Sequence, residues 1–88
     1  MYSLFISETL EAKLEKLKKG DKETLVIISK KVKEIQKNPY HFKPLRHDLK
    51  GIRRVHINRS FVLIYEIIEP ENAVRLLDFD HHDKIYKI

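Results

Sequence analysis

His81 and His82 stand side by side near the end of the chain, in the stretch DFDHHDKIYKI (residues 78–88), with Lys84 and Tyr86 close behind. Such residues suit a metal site, acid–base chemistry on a substrate, or a polar tail whose tyrosine ring anchors to the core. A metal would draw on Asp78, Asp80, His81, His82 and Asp83 as ligands. Neighbouring side chains on an extended strand point to opposite faces, so at most two or three of these converge. No second cluster of Asp, Glu and His completes a site, and no metal is expected. Acid–base chemistry asks for fewer coincidences. Cleaving RNA without a metal needs a base for the 2′-hydroxyl proton, cations at the crowded phosphorus and an acid for the departing 5′-oxygen. His, Lys, Tyr and Arg fill all these roles.

A second group of candidates lies upstream. Residues 39–59, PYHFKPLRHDLKGIRRVHINR, carry Lys43, Arg46, Lys50, Arg53, Arg54 and Arg59 against Asp48 alone. That excess equals the net charge of the whole chain, +5, and the remaining twelve basic residues are matched by twelve acidic ones. A local surplus of one sign is what a polyanion such as nucleic acid requires of a partner. Within it, Arg54, His56 and Asn58 fall at alternate positions of a predicted strand and so share one face. Arg clamps a phosphate through two hydrogen bonds and His moves a proton near neutral pH.

The elements that must position these groups are readable from periodicity. Tyr2, Leu4 and Ile6 alternate with polar or outward positions, predicting a short strand. Ser7 suits a helix N-cap, and Leu10, Leu14 and Leu17 form the stripe of a helix expected to stop at Gly20. Asp21 caps a second helix with the stripe Leu25, Ile28, Val32 and Ile35, widened by Val26 and Ile27 and ended by Pro39. So short a connection predicts an antiparallel helix hairpin. The period then becomes two through Val55 and Ile57. FVLIYEII (residues 61–68) reads as a central strand, and AVRLLDF follows a turn at residues 69–72. The expected fold class is α+β, strand–helix–helix–strand–strand–strand. The hairpin packs on one face of a mainly antiparallel sheet, and Arg54 and His56 sit on the open face.

Size and composition bound the function. Eighty-eight residues make one domain (residues 1–88), which favours an open site over a deep cavity. There are no cysteines, so disulfide scaffolds and thiolate metal sites are excluded. No apolar run approaches the roughly 20 residues that cross a bilayer, and no secretory signal is visible. A cytoplasmic protein without membrane association is expected.

With the order of elements in hand, the chain resembles the RelE/ParE superfamily of bacterial and archaeal toxins, closest to the RelE-like mRNA interferases. The resemblance rests on PLRHDLKGIRRVHINRSFVLIYEI, similar to the family's leucine-plus-glycine entry to a basic strand and an apolar strand, and on the closing DFDHHDKIY. It implies a toxin that enters the ribosomal A site and cuts mRNA by attack of the ribose 2′-oxygen on the adjacent phosphate, with no metal or cofactor. Arg54, His56, His82 and Tyr86 match catalytic positions. Lys43, Arg46, Lys50, Arg53, Arg59, His81 and Lys84 would bind RNA or the ribosome. The implied protein partner is a RelB-like antitoxin, in a heterodimer or heterotetramer. Two features depart from the pattern. Val62 stands where the family often has an arginine, with Arg59 as the nearest substitute, and Asp78, Asp80 and Asp83 bring negative charge near the RNA. The alternatives are a ParE-like inhibitor of DNA gyrase and a basic RNA-binding member without activity.

Overall fold

The computed structural model describes residues 1–45 and 51–85. Strand β1 (Ser3–Ile6) ends at Ser7, whose Oγ accepts a hydrogen bond from the Leu10 N–H (3.1 Å) and so starts helix α1 (Glu8–Gly20). Asp21 is the whole junction to helix α2 (Lys22–Lys37). Its carboxylate accepts from the Thr24 N–H and hydroxyl, while its own N–H donates to the Leu17 carbonyl. Gly20 is therefore the last residue of α1 rather than a left-handed terminator, and no glycine among the described residues has positive φ. The turns needing positive φ use Asn58 and Asn72, whose short polar side chains tolerate it.

Three strands follow: β2 (Ile52–Ile57), β3 (Phe61–Ile68) and β4 (Ala73–His81), then the single-turn helix α3 (His82–Ile85). The sheet order is β1-β4-β3-β2, with β1 parallel to β4 and the other pairs antiparallel. The expected α+β architecture holds. The helices bury Leu10, Ile28 and Ile35 against Val55, Ile57, Leu63, Tyr65, Val74, Leu76 and Phe79. Of the two residues that widened the α2 stripe, Ile27 packs on this core and Val26 stays exposed. Asn58 lies beyond β2, in the turn, and not on the strand face with Arg54 and His56.

The opposite face corrects the sequence reading. It is not open along its length, because Leu45, Val62, Ile64 and Ile85 form a second buried cluster with Ile52 and Leu77 packed on it. The cause lies in FVLIYEII, which is apolar at consecutive positions and therefore needs cover on both faces. The strand edges are also managed. Pro44 bridges Arg53, Leu45 N–H donates to the Ile52 carbonyl (2.8 Å) and Arg54 N–H to that of Lys43 (3.1 Å), so residues 43–45 line the outer edge of β2.

One buried hydrogen bond ties the basic segment to the core. Tyr65 is fully buried in β3 and its hydroxyl donates to the Pro39 carbonyl (2.6 Å). Burial pushes the phenol up to about 12, opposed by the nearby Arg53 charge. Tyr65→Phe is expected to lower stability by about 1–3 kcal/mol, because it leaves the buried Pro39 carbonyl unpaired. Denaturant melts measure this. With the folded pKa above the unfolded one, the phenol's contribution is whole below about pH 10 and is lost as pH rises towards the folded value.

Candidate functional site

β2 carries the first candidates. Arg54, opposite Ile64, and His56, opposite Val62, point to the face of the second cluster, and His56 is exposed. They line a shallow cleft of about 540 Å³ with Lys43 and three residues that sequence reasoning did not single out, Lys31, His41 and Phe42. The Phe42 ring has His41 edge-on at 5.0 Å and the Lys31 ammonium 6.0 Å from its centroid. Phe42 was visible in principle, as an aromatic inside a basic window. Lys31 was not, since nothing local says which lysine of α2 flanks the cleft. Arg53 faces the helix side. Its guanidinium donates to the Phe42 carbonyl (2.6 Å) and lies 5.2 Å from the Tyr40 ring, so it braces the cleft's rim.

The second group sits where β4 gives way to α3. The His81 and His82 rings lie 4.6 Å apart, and the His82 N–H donates to the Ser60 carbonyl (2.8 Å), tying this corner to the β2–β3 turn that exposes Arg59. Lys84 is exposed on α3. The register runs His56, Val62, Asp80 across three strands, so the cleft and the histidine corner share one end of the sheet. Two strand spacings, about 10 Å, separate the backbones that carry them. Val62 itself is fully buried between them, so its position offers no room for a cation facing solvent. Arg46, Lys50 and Tyr86 lie outside the described residues.

Two of the tail's aspartates turn out to be structural. β1 stops pairing at Ile6–Leu76, leaving the outer edge of β4 beyond it without a strand partner. α1 covers that edge. Ser7 Oγ donates to the Leu77 carbonyl, and Lys13 Nζ donates to the Phe79 carbonyl (3.0 Å), Asp78 (2.7 Å) and Asp80 (2.9 Å). A register shift between Ile64 and Tyr65 makes Leu77 the extra residue, and beyond it Asp78 and Asp80, at alternate positions of β4, both lie within reach of one ammonium.

Partial burial works against the Lys13 charge, but the two carboxylates outweigh it and its pKa is raised. The Lys13 hydrogen bond in turn holds Asp80 below its usual value, against a smaller opposing effect of burial. Lys13→Ala is expected to cost about 1–2 kcal/mol near neutral pH, the pair being partly screened by solvent. Because Asp80 is depressed, its share is present above the unfolded carboxylate pKa and lost as pH falls through the folded one. Wild type and variant should therefore converge in acid melts. Lys13 thus offsets one of the two negative charges that Asp78 and Asp80 bring to this end of the chain.

The family model described as ParE toxin of type II toxin-antitoxin system, parDE, matches residues 4–86. A Methanocaldococcus jannaschii protein named "Putative toxin RelE4" is 49% identical over 87 residues, covering 99% of this chain and 93% of that one. Among solved structures, a YoeB/ParE toxin from Agrobacterium tumefaciens superposes with a TM-score of 0.84 at 14% identity, covering 91% of this chain and 98% of that one. A chain of the intact E. coli RelBE toxin–antitoxin complex gives 0.77 at 18% identity, covering 92% of this chain and 96% of that one.

Proposed function

The chain belongs to the ParE toxin family of type II toxin–antitoxin systems, and on that premise we propose that it is a ribosome-dependent endoribonuclease cutting mRNA in the A site. The observation that carries the reading is the pairing, at one end of the sheet, of a cleft holding Arg54 and His56 with a corner holding His81 and His82. An RNA backbone laid across this end meets an imidazole on either side of the buried Val62. One imidazole takes the proton of the 2′-hydroxyl, the 2′-oxygen attacks phosphorus and the P–O5′ bond breaks. The other side supplies the proton to the departing 5′-oxygen, leaving a 2′,3′-cyclic phosphate and a 5′-hydroxyl. Arg54 stabilises the charge that builds on the phosphoryl oxygens, with Arg59 and Lys43 holding the flanking backbone. Tyr86, carried over from the resemblance, is a further proton-transfer or stacking group.

The partner proposed is a RelB-like antitoxin in a heterodimer or heterotetramer. Support comes from the RelBE relative, a toxin–antitoxin complex, and from the basic cleft, which an acidic segment would cover. Among the described residues no helix is long and apolar enough to cross a membrane.

The test is to mix the purified toxin with a defined mRNA, with and without translating ribosomes. Cleavage that needs ribosomes supports the proposal. The ParE family match keeps a second reading in view, inhibition of DNA gyrase, and intact mRNA together with blocked supercoiling would establish that instead.

A further inference from the structure

The sequence reading set a metal aside because adjacent residues on a strand diverge. At the histidine pair that premise does not apply. β4 ends at His81 and α3 begins at His82, so the chain turns between them and the two rings come to lie side by side. The turn also brings the Asp83 carboxylate back against both rings, one oxygen 3.0 Å from His82 Nδ1 and the other 3.6 Å from His81 Nδ1. One donor atom from each residue lies within 4.8 Å of the others. His81 Nδ1 accepts a long hydrogen bond from the Asp83 N–H (3.2 Å), which an ion bound at that nitrogen would have to displace.

Metal–ligand bonds of about 2.1 Å in a tetrahedral arrangement place neighbouring donors roughly 3.4 Å apart, which small side-chain rotations reach from here. Two imidazoles and one carboxylate suit borderline divalent ions such as Zn²⁺, Ni²⁺ and Co²⁺ rather than Mg²⁺ or Ca²⁺. All three side chains are partly or well exposed, so an ion has direct access and three protein ligands leave positions for water. Lys84 is the adjacent cation, exposed on the same turn and able to swing away.

We propose that His81, His82 and Asp83 form a reversible binding site for a divalent transition-metal ion. Binding fills the nitrogen lone pairs that proton transfer needs, so the occupied toxin is held inactive. This consequence rests on the ribonuclease reading; the site itself does not.

The test titrates Co²⁺, then Zn²⁺, into the full-length chain without an affinity tag. Visible absorbance follows the first and calorimetry the second, with circular dichroism confirming that each variant is folded. One ion per chain is expected, weakened at least about tenfold in His81→Ala and in His82→Ala, and unchanged in His41→Ala. No saturable binding, binding unaltered in both variants, or binding lost in His41→Ala would overturn the site. An ion bound as described by a chain that cuts no mRNA under any condition would sink the ribonuclease reading while leaving the site standing.

Discussion

His56→Ala is expected to slow ribosome-dependent mRNA cleavage about 10²–10⁴-fold, the usual range for losing a positioned acid or base. His56 is exposed on β2, so its removal opens no cavity and stability should change by less than about 0.5 kcal/mol. That separation makes the variant informative: slowed cleavage with an unchanged melt assigns the loss to chemistry rather than folding. Adding His82→Ala should cost much less than the product of the two single losses, because acid and base act on one bond as a unit. Single-turnover cleavage beside thermal melts reads both quantities. Full activity in folded His56→Ala would remove this side chain from the mechanism.

Leu63→Ala should have the largest effect on stability, about 3 kcal/mol or more, from lost burial plus a cavity that the sheet does not refill. Leu63 is fully buried in β3, paired with Val55 on one side and Phe79 on the other, and the helices close over it. In a chain of 88 residues such a loss lowers Tm by roughly 12–24 °C. A melt within a few degrees of wild type would mean that the helix hairpin does not pack on the sheet as described.

Much of the fold was legible because its signals are local. Ser7 and Asp21 announce helix starts through side-chain oxygens placed to accept from the third residue onward, and the α2 stripe at Ile28 and Ile35 points to its buried face. What was missed depends on residues far apart in the chain. The composition of FVLIYEII implies cover on both faces, but nothing local says that Leu45 and Ile85 provide it. Lys13 meets Asp78 and Asp80 only because β1 lies parallel to β4 and stops short, which carries α1 along the exposed edge. Arg54 and His56 were legible by alternation. Their neighbours Lys31 and Phe42 reach the cleft through tertiary packing that alternation does not describe.

RNA cleavage by the two histidine-bearing groups is the central claim. Primer extension on a defined mRNA with purified ribosomes, comparing wild type with His82→Ala and Tyr86→Ala, tests that most directly. Cuts inside the A-site codon are expected with wild type, lost or reduced at least about 100-fold in His82→Ala. Uncut mRNA with folded wild-type toxin on translating ribosomes, or undiminished cuts in both variants, would contradict it.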